Sequence, residues 1–215
     1  YDNLGGRKIL PGTSSLNLRN APEGVPLQDK FETAYEYSDC WIEDSRLVVL
    51  NARDARGKGA EIRTRTRVVS ARPKDSEWQI ELENTDSQTT ETVQARLIVN
   101  AAGPWVEKVL GNVAGVNAKR SVRLVKGSHI ILKRWWAGDH GYVLQAHDKR
   151  LIFVNPYFED LALVGTTDML YTGDPGTPAI TEEETAYLCE AVNRYFERPI
   201  APEDIVHTYS GVRPL

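Results

Sequence analysis

Nine consecutive residues constrain this chain most: Leu97-Ile98-Val99-Asn100-Ala101-Ala102-Gly103-Pro104-Trp105. The stretch Leu97 to Ala102 is nearly continuous apolar sequence with no alternating polar face. That pattern predicts a parallel strand buried on both faces. Gly103-Pro104 then turns the chain into a helix reaching about Leu110, because proline suits the first helical turn. Small residues at Ala101, Ala102 and Gly103 let a ligand approach the backbone closely, and a helix start favours anions. A dinucleotide contact at the end of a parallel strand is one account. An ordinary tight strand-to-helix turn is the other.

The flanking sequence adds both helical and strand periods. Residues 1 to about 30 carry Gly5-Gly6, Pro11-Gly12, Pro22, Gly24 and Pro26, which predict an extended loop region. Phe31 to Tyr37 alternates and predicts a strand. Asp44 can cap a helix with apolar Leu47, Val48, Leu50, Ala52 and Ala55, closed by Gly57 and Gly59. A meander follows: Ala60 to Thr64, Val68 to Arg72, Trp78 to Glu83 and Thr90 to Ala95, the last two paired across a polar loop. Beyond Arg120 the predicted strands are Val122 to Val125, His129 to Leu132, Gly141 to Leu144, Leu151 to Pro156, Leu161 to Val164 and Ile205 to Ser210. Thr181-Glu182-Glu183-Glu184 is a capping box that starts a helix to about Phe196. The class is α/β of the mixed α+β kind. A partial nucleotide-binding, Rossmann-like domain with an N-terminal loop region spans about 1–118, and a mostly antiparallel substrate-binding sheet spans about 119–215, with the two expected to interleave.

Four segments carry candidate chemistry. Besides Leu97 to Trp105, Gly165-Thr166-Thr167-Asp168 offers two hydroxyls and a carboxylate after an apolar strand, or else a capped turn. Ser210-Gly211-Val212-Arg213 joins a permissive glycine to a guanidinium fork suited to phosphate or carboxylate, or else places a surface charge. Lys126-Gly127-Ser128-His129 is read between two strands. His129 there is a proton acceptor for an alcohol or a structural histidine. Gly57-Lys58-Gly59 follows a helix and precedes a strand, so it is a helix stop and no dinucleotide fingerprint.

Other functions are excluded by what surrounds these segments. The net charge of -4 and pI near 5.7 leave no basic footprint for nucleic acid. Cys40 and Cys189 are far apart, and no histidine lies at metal-ligand spacing, so no metal site is expected. There is no Gly-x-Ser-x-Gly elbow and no Walker motif. With no initiator Met and an abrupt Leu215, the chain reads as an internal segment of a longer protein.

Taken in order, the motifs resemble one family. They are Tyr1-Asp2-Asn3-Leu4-Gly5-Gly6-Arg7, Tyr37-Ser38-Asp39-Cys40-Trp41, Asp44-Ser45-Arg46-Leu47-Val48, Asn100-Ala101-Ala102-Gly103-Pro104-Trp105, Val122-Arg123-Leu124-Val125-Lys126-Gly127-Ser128-His129, Gly165-Thr166-Thr167-Asp168 and Tyr209-Ser210-Gly211-Val212-Arg213-Pro214-Leu215. The chain resembles the aerobic, flavin-dependent glycerol-3-phosphate dehydrogenases of the D-amino-acid-oxidase-like group. The resemblance implies FAD as cofactor and oxidation of sn-glycerol 3-phosphate to dihydroxyacetone phosphate. Electrons would pass to quinone, or to oxygen in an oxidase branch. It also implies a peripheral protein on the cytoplasmic face of the inner membrane, dimeric when full-length. Val69, Ala101, Ala102, Gly103, Trp105 and Gly211 would contact flavin. Arg213 and Thr167 would contact substrate, and His129 and Arg213 would be catalytic. The family's Gly-x-Gly-x-x-Gly segment is absent, so this segment alone is expected to be inactive. Two alternatives are a related flavin enzyme acting on amines or hydroxy acids and a non-catalytic ligand-binding or interaction module.

Overall fold

A computed structural model describes residues 10–115 and 122–215. The motif Tyr1 to Arg7 and the 118/119 boundary lie outside the described residues. In chain order the elements are β1 (Ser14–Asn17), β2 (Thr33–Glu36), α1 (Asp44–Gly57), β3 (Thr66–Lys74), β4 (Glu77–Asn84) and β5 (Thr90–Ala95). A helical stretch over 103–113 contains the single α-turn α2 (Val106–Lys108). Then come β6 (Leu124–Lys133), β7 (Tyr142–Gln145), β8 (Leu151–Tyr157), β9 (Leu161–Gly165), β10 (Met169–Leu170), α3 (Glu182–Asn193) and β11 (Ile205–Pro214).

The chain divides into two compact units, one discontinuous. The sheet unit joins the residues up to Ser38 to Arg123–Leu215, and the meander unit is Asp39–Val122. The N-terminal segment, expected to accompany the first half, packs with the second, because Leu18 and Leu27 are buried in the same core as β6 and α3. Nor is it all loop: β1 and β2 pair in register from Ser14↔Glu36 to Asn17↔Thr33.

In the sheet unit β6 is the axis. β11 pairs along one of its edges, while β9 and then β10 pair along the other, with β8 and β7 outside β9. All these pairs are antiparallel. Strand alternation puts Ile130, Leu132, Ile152, Val154, Ala162 and Val164 on one face, where they pack with Leu188, Val192 and Phe196. Each such side chain, fully removed from water, contributes about 1.5–3 kcal/mol. The helix that covers this face starts with the expected box. Thr181 Oγ1 accepts from the Glu184 N–H, and Glu184 Oε2 accepts from the Thr181 N–H. The segment Lys126 to His129, expected between two strands, lies inside β6. Lys126 is buried there, its ammonium paired with Glu184, so the basic residue that read as a loop is a core ion pair.

In the meander unit β3, β4 and β5 form a three-stranded antiparallel sheet, with Trp78↔Ala95 to Glu83↔Thr90 as the second ladder. The expected strand Ala60 to Thr64 does not form. Arg65 takes a positive φ of 52°, and pairing begins at Thr66. The largest correction concerns Leu97 to Ala102. It is not a strand, and Leu97 and Val99 are 74% and 80% exposed. A parallel strand needs neighbours on both sides. No strand among the described residues pairs with it. The helical turn from Gly103 does form, and Gly103 has a positive φ of 52° that glycine adopts without strain. The mixed α/β class stands.

Candidate active site

The sheet face opposite α3 assembles the site. Alternation along β6 puts Val125, Gly127, His129 and Ile131 on this outer face. Their partners on β11 are Arg213, Gly211, Tyr209 and His207, and those on β9 are Gly165 beside His129 and Leu163 beside Ile131. Exposure along β11 follows: Tyr209, Gly211 and Arg213 are exposed, while the intervening Ser210 and Val212 are half-buried.

His129 is held on two sides. The Tyr209 ring stacks on it at 4.7 Å between centroids with 10° between planes. On the other side the imidazole lies over Gly165, where any Cβ would run into the ring. Two residues further along, Gly127 and Gly211 face each other in register. Space is open where a Gly211 side chain would stand, and the Thr166 hydroxyl lies over Gly127. Beyond them Arg213 donates to Asp168 Oδ1 at 3.2 Å. Arg150 donates to the Asp168 carbonyl at 2.9 Å. Arg213 lies four residues along β11 from Tyr209, about 13 Å. A cavity of about 180 Å³ flanks His129 on the β9–β8 side, lined by Phe153, Asn155, Leu163, Gly165 and Thr166.

Beneath this surface lies a buried polar network. Lys126 Nζ meets Glu184 Oε2 at 2.8 Å, with side-chain exposures of 8% and 5%. Thr167 and Ser128 donate to Glu184 Oε1 at 2.8 and 3.0 Å, and Ser210 donates to Ser128 at 2.8 Å. The Ser128 N–H in turn donates to Thr167 Oγ1 at 2.9 Å. Burial pushes the Glu184 carboxyl up. The Lys126 ammonium, the Thr181 N–H and the two hydroxyls outweigh that and hold it below the usual carboxylate range. Thr167, expected at substrate, is 1% exposed and its hydroxyl belongs to this network, whereas its neighbour Thr166 faces the cavity.

In the meander unit, Val69 falls at a β-bulge between Val68↔Leu82 and Ser70↔Glu81, on the sheet-edge strand β3. A bulge leaves backbone groups outside the ladder. Asn100 braces the turn over Ala101, Ala102 and Gly103. Its Oδ1 accepts from the Ala102 N–H at 3.2 Å and its Nδ2 donates to the Val106 carbonyl at 3.0 Å. Trp105 is 41% exposed, and nothing lies within 4 Å of a Cβ built on Gly103. The sequence-predicted residues thus fall into two groups. His129, Gly211 and Arg213 share one sheet face, while Val69 and Ala101 to Trp105 belong to the other unit. Sequence reasoning missed Tyr209 and Asn155 as parts of the site. The alternation from Tyr209 to Gly211 to Arg213 was the available signal for the first.

The sequence pattern of the FAD-dependent oxidoreductases matches residues 4–215. The chain belongs to that family. FAD is the family's cofactor. Within the sheet unit the open space at Gly211 suits a flat ring that needs close backbone approach, and within the meander unit, taken by itself, the braced Ala101 to Gly103 turn leaves its glycine equally unobstructed. The D-erythritol 1-phosphate dehydrogenase of Brucella abortus is 54% identical over 215 residues, all of this chain and 43% of that protein. The glycerol-3-phosphate dehydrogenase of Pseudomonas tolaasii is 46% identical, and the aerobic enzyme of Escherichia coli 43%. All of this chain aligns with each, covering 41% and 42% of their lengths, so the chain spans about two fifths of these relatives. Among solved structures, a glycerol-3-phosphate dehydrogenase from Bacillus halodurans complexed with FAD superposes with TM-score 0.79, covering 95% of this chain and 44% of that one. At 24% identity that likeness establishes the FAD-dependent oxidoreductase fold alone.

Proposed function

We propose that the full-length protein oxidises a secondary alcohol of a short polyol phosphate, with sn-glycerol 3-phosphate going to dihydroxyacetone phosphate and electrons to quinone. One observation carries the reading: a single outward sheet face presents an imidazole, a glycine pair open at Gly211 and a guanidinium in alternate positions. The chemistry that bound FAD would supply is acceptance of a hydride from the carbinol carbon. Gly211 would lie against it, and Val69, Ala101, Ala102, Gly103 and Trp105 would hold its nucleotide. His129 takes the hydroxyl proton, its ring kept in place by Tyr209 and Gly165. Arg213 holds the substrate's charged oxygens through its planar fork. Thr167 acts from beneath, by fixing the backbone at Ser128. Dimerisation and peripheral attachment to the inner membrane belong to the same proposal and rest on the family resemblance.

D-Erythritol 1-phosphate is a second reading, favoured by the 54% identity to the Brucella abortus protein. The test is reduction of a quinone-like dye by the full-length, flavin-loaded protein. Substrates would be both polyol phosphates, glycerol, sarcosine and lactate. Turnover confined to phosphates is expected. Arg213→Ala should lower kcat/KM roughly 10- to 150-fold, the weight of a charge-assisted contact. An unchanged KM and kcat would remove Arg213 from the site, and turnover of sarcosine or lactate alone would replace the substrate class.

A further inference from the structure

The cavity flanks His129 on the β9–β8 side, with Phe153 and Gly165 level with the histidine, Asn155 and Leu163 one step further from Arg213, and Thr166 reaching back over Gly127. Counting along the sheet, Arg213 is level with Val125, Gly211 with Gly127 and Tyr209 with His129. Asn155 is one step further, level with Leu163 and Ile131. A substrate gripped at Arg213 and reacting at His129 therefore points its remaining carbons toward Asn155. The cavity measures about 180 Å³, against roughly 10–15 Å³ for one water.

Its lining suits a hydroxylated carbon chain. Phe153 and Leu163 give apolar walls for C–H groups, while Asn155 and Thr166 give polar ones. Asn155 is half-buried, and among the described residues no hydrogen bond engages its side-chain amide. An amide offers both donors and an acceptor, as a hydroxyl requires of its partner. The Thr166 hydroxyl donates to the Thr167 carbonyl at 3.1 Å and keeps its lone pairs for a second donor.

Resting on the polyol-phosphate reading, we infer that this cavity is the subsite for the substrate's terminal hydroxymethyl group, with Asn155 and Thr166 as its specificity determinants. A site built to bond a hydroxyl rejects the analogue that lacks it, because the protein's polar groups are then left unpaired. The discriminating pair is glycerol 3-phosphate and propane-1,2-diol 1-phosphate, which differ only in that hydroxyl. The full-length, flavin-loaded protein should prefer glycerol 3-phosphate in kcat/KM by at least about tenfold, and Asn155→Leu should cut the preference at least about fivefold. Thr166→Val, which preserves shape, should cut it in the same direction and decides the matter if Asn155→Leu does not load flavin. Equal loss on both substrates, or no loss, overturns the subsite while leaving the parent reading intact. A wild-type protein silent on every polyol phosphate overturns the parent reading and this inference with it.

Discussion

The two units use apolar residues in opposite ways. In the sheet unit, Ile130, Ile152, Val154, Val164, Leu188 and Val192 have no exposed surface, and aromatic Trp136, Tyr142 and Phe196 pack edge to face around them. In the meander unit, the buried apolar residues among those described are Ala71, Ile80 and Leu82. There α1 leaves Leu47, Val48, Val49 and Leu50 between 43% and 69% exposed, and Leu97 and Val99 stand further out still. The two sequences look equally apolar. A hydrophobic period specifies a face to be covered; it does not supply the cover.

That contrast is open to attack by mutation. The largest expected effect is at Glu184→Ala, which leaves the buried Lys126 ammonium with the Ala179 carbonyl but no counter-charge and removes the acceptor of the Thr167 and Ser128 hydroxyls. About 3–5 kcal/mol should be lost in chemical denaturation. A loss below about 1 kcal/mol would mean the network holds nothing together. Next comes one chemical change made in both units. Val192→Ala should cost about 1.5–3 kcal/mol, since that side chain is fully buried. Val99→Ala in this chain should stay within about 0.5 kcal/mol. Equal costs would erase the distinction. The smallest effect is acid sensitivity. Glu184 has a folded pKa below its unfolded value, so its stabilisation is complete above the unfolded pKa and is lost as pH falls through the folded one. Denaturation midpoints from pH 6 down to 3 should fall less in Glu184→Gln than in the wild type; parallel falls would assign the acid response to other carboxylates.

Much of this was legible in the sequence because local chemistry decided it. Thr181 and Glu184 sit at the spacing of a reciprocal cap and form one. Trp78, Ile80 and Leu82 alternate and pair with Ala95, Val93 and Glu91. His129, Gly211 and Arg213 were identified singly by residue type, and β6 and β11 then put them on one face. What stayed hidden depended on register or on distant partners. Tyr209 reaches His129 only through the pairing of strands eighty residues apart. Lys126 read as a turn residue because nothing nearby announces its buried carboxylate. Asn155 lies in an apolar run, and only the neighbouring strand shows which way it faces. Leu97 to Ala102 read as a strand because its composition describes an environment these residues do not themselves create.

The discontinuity of the sheet unit also sets an order of events in time. Gln28 donates to the carbonyls of Asn193 and Phe196, 165 and 168 residues later in the chain. A ribosome working at about 5–20 residues per second takes roughly 8 to 34 s to cover that gap. For that interval the early segment of Ser14 to Glu36 has no core in which to bury Leu18 and Leu27, while Asp39 to Val122 emerges whole. The nascent polypeptide therefore carries the uncovered apolar residues of this early segment across that stretch of synthesis, a window in which a holding chaperone would find its ligand ready-made.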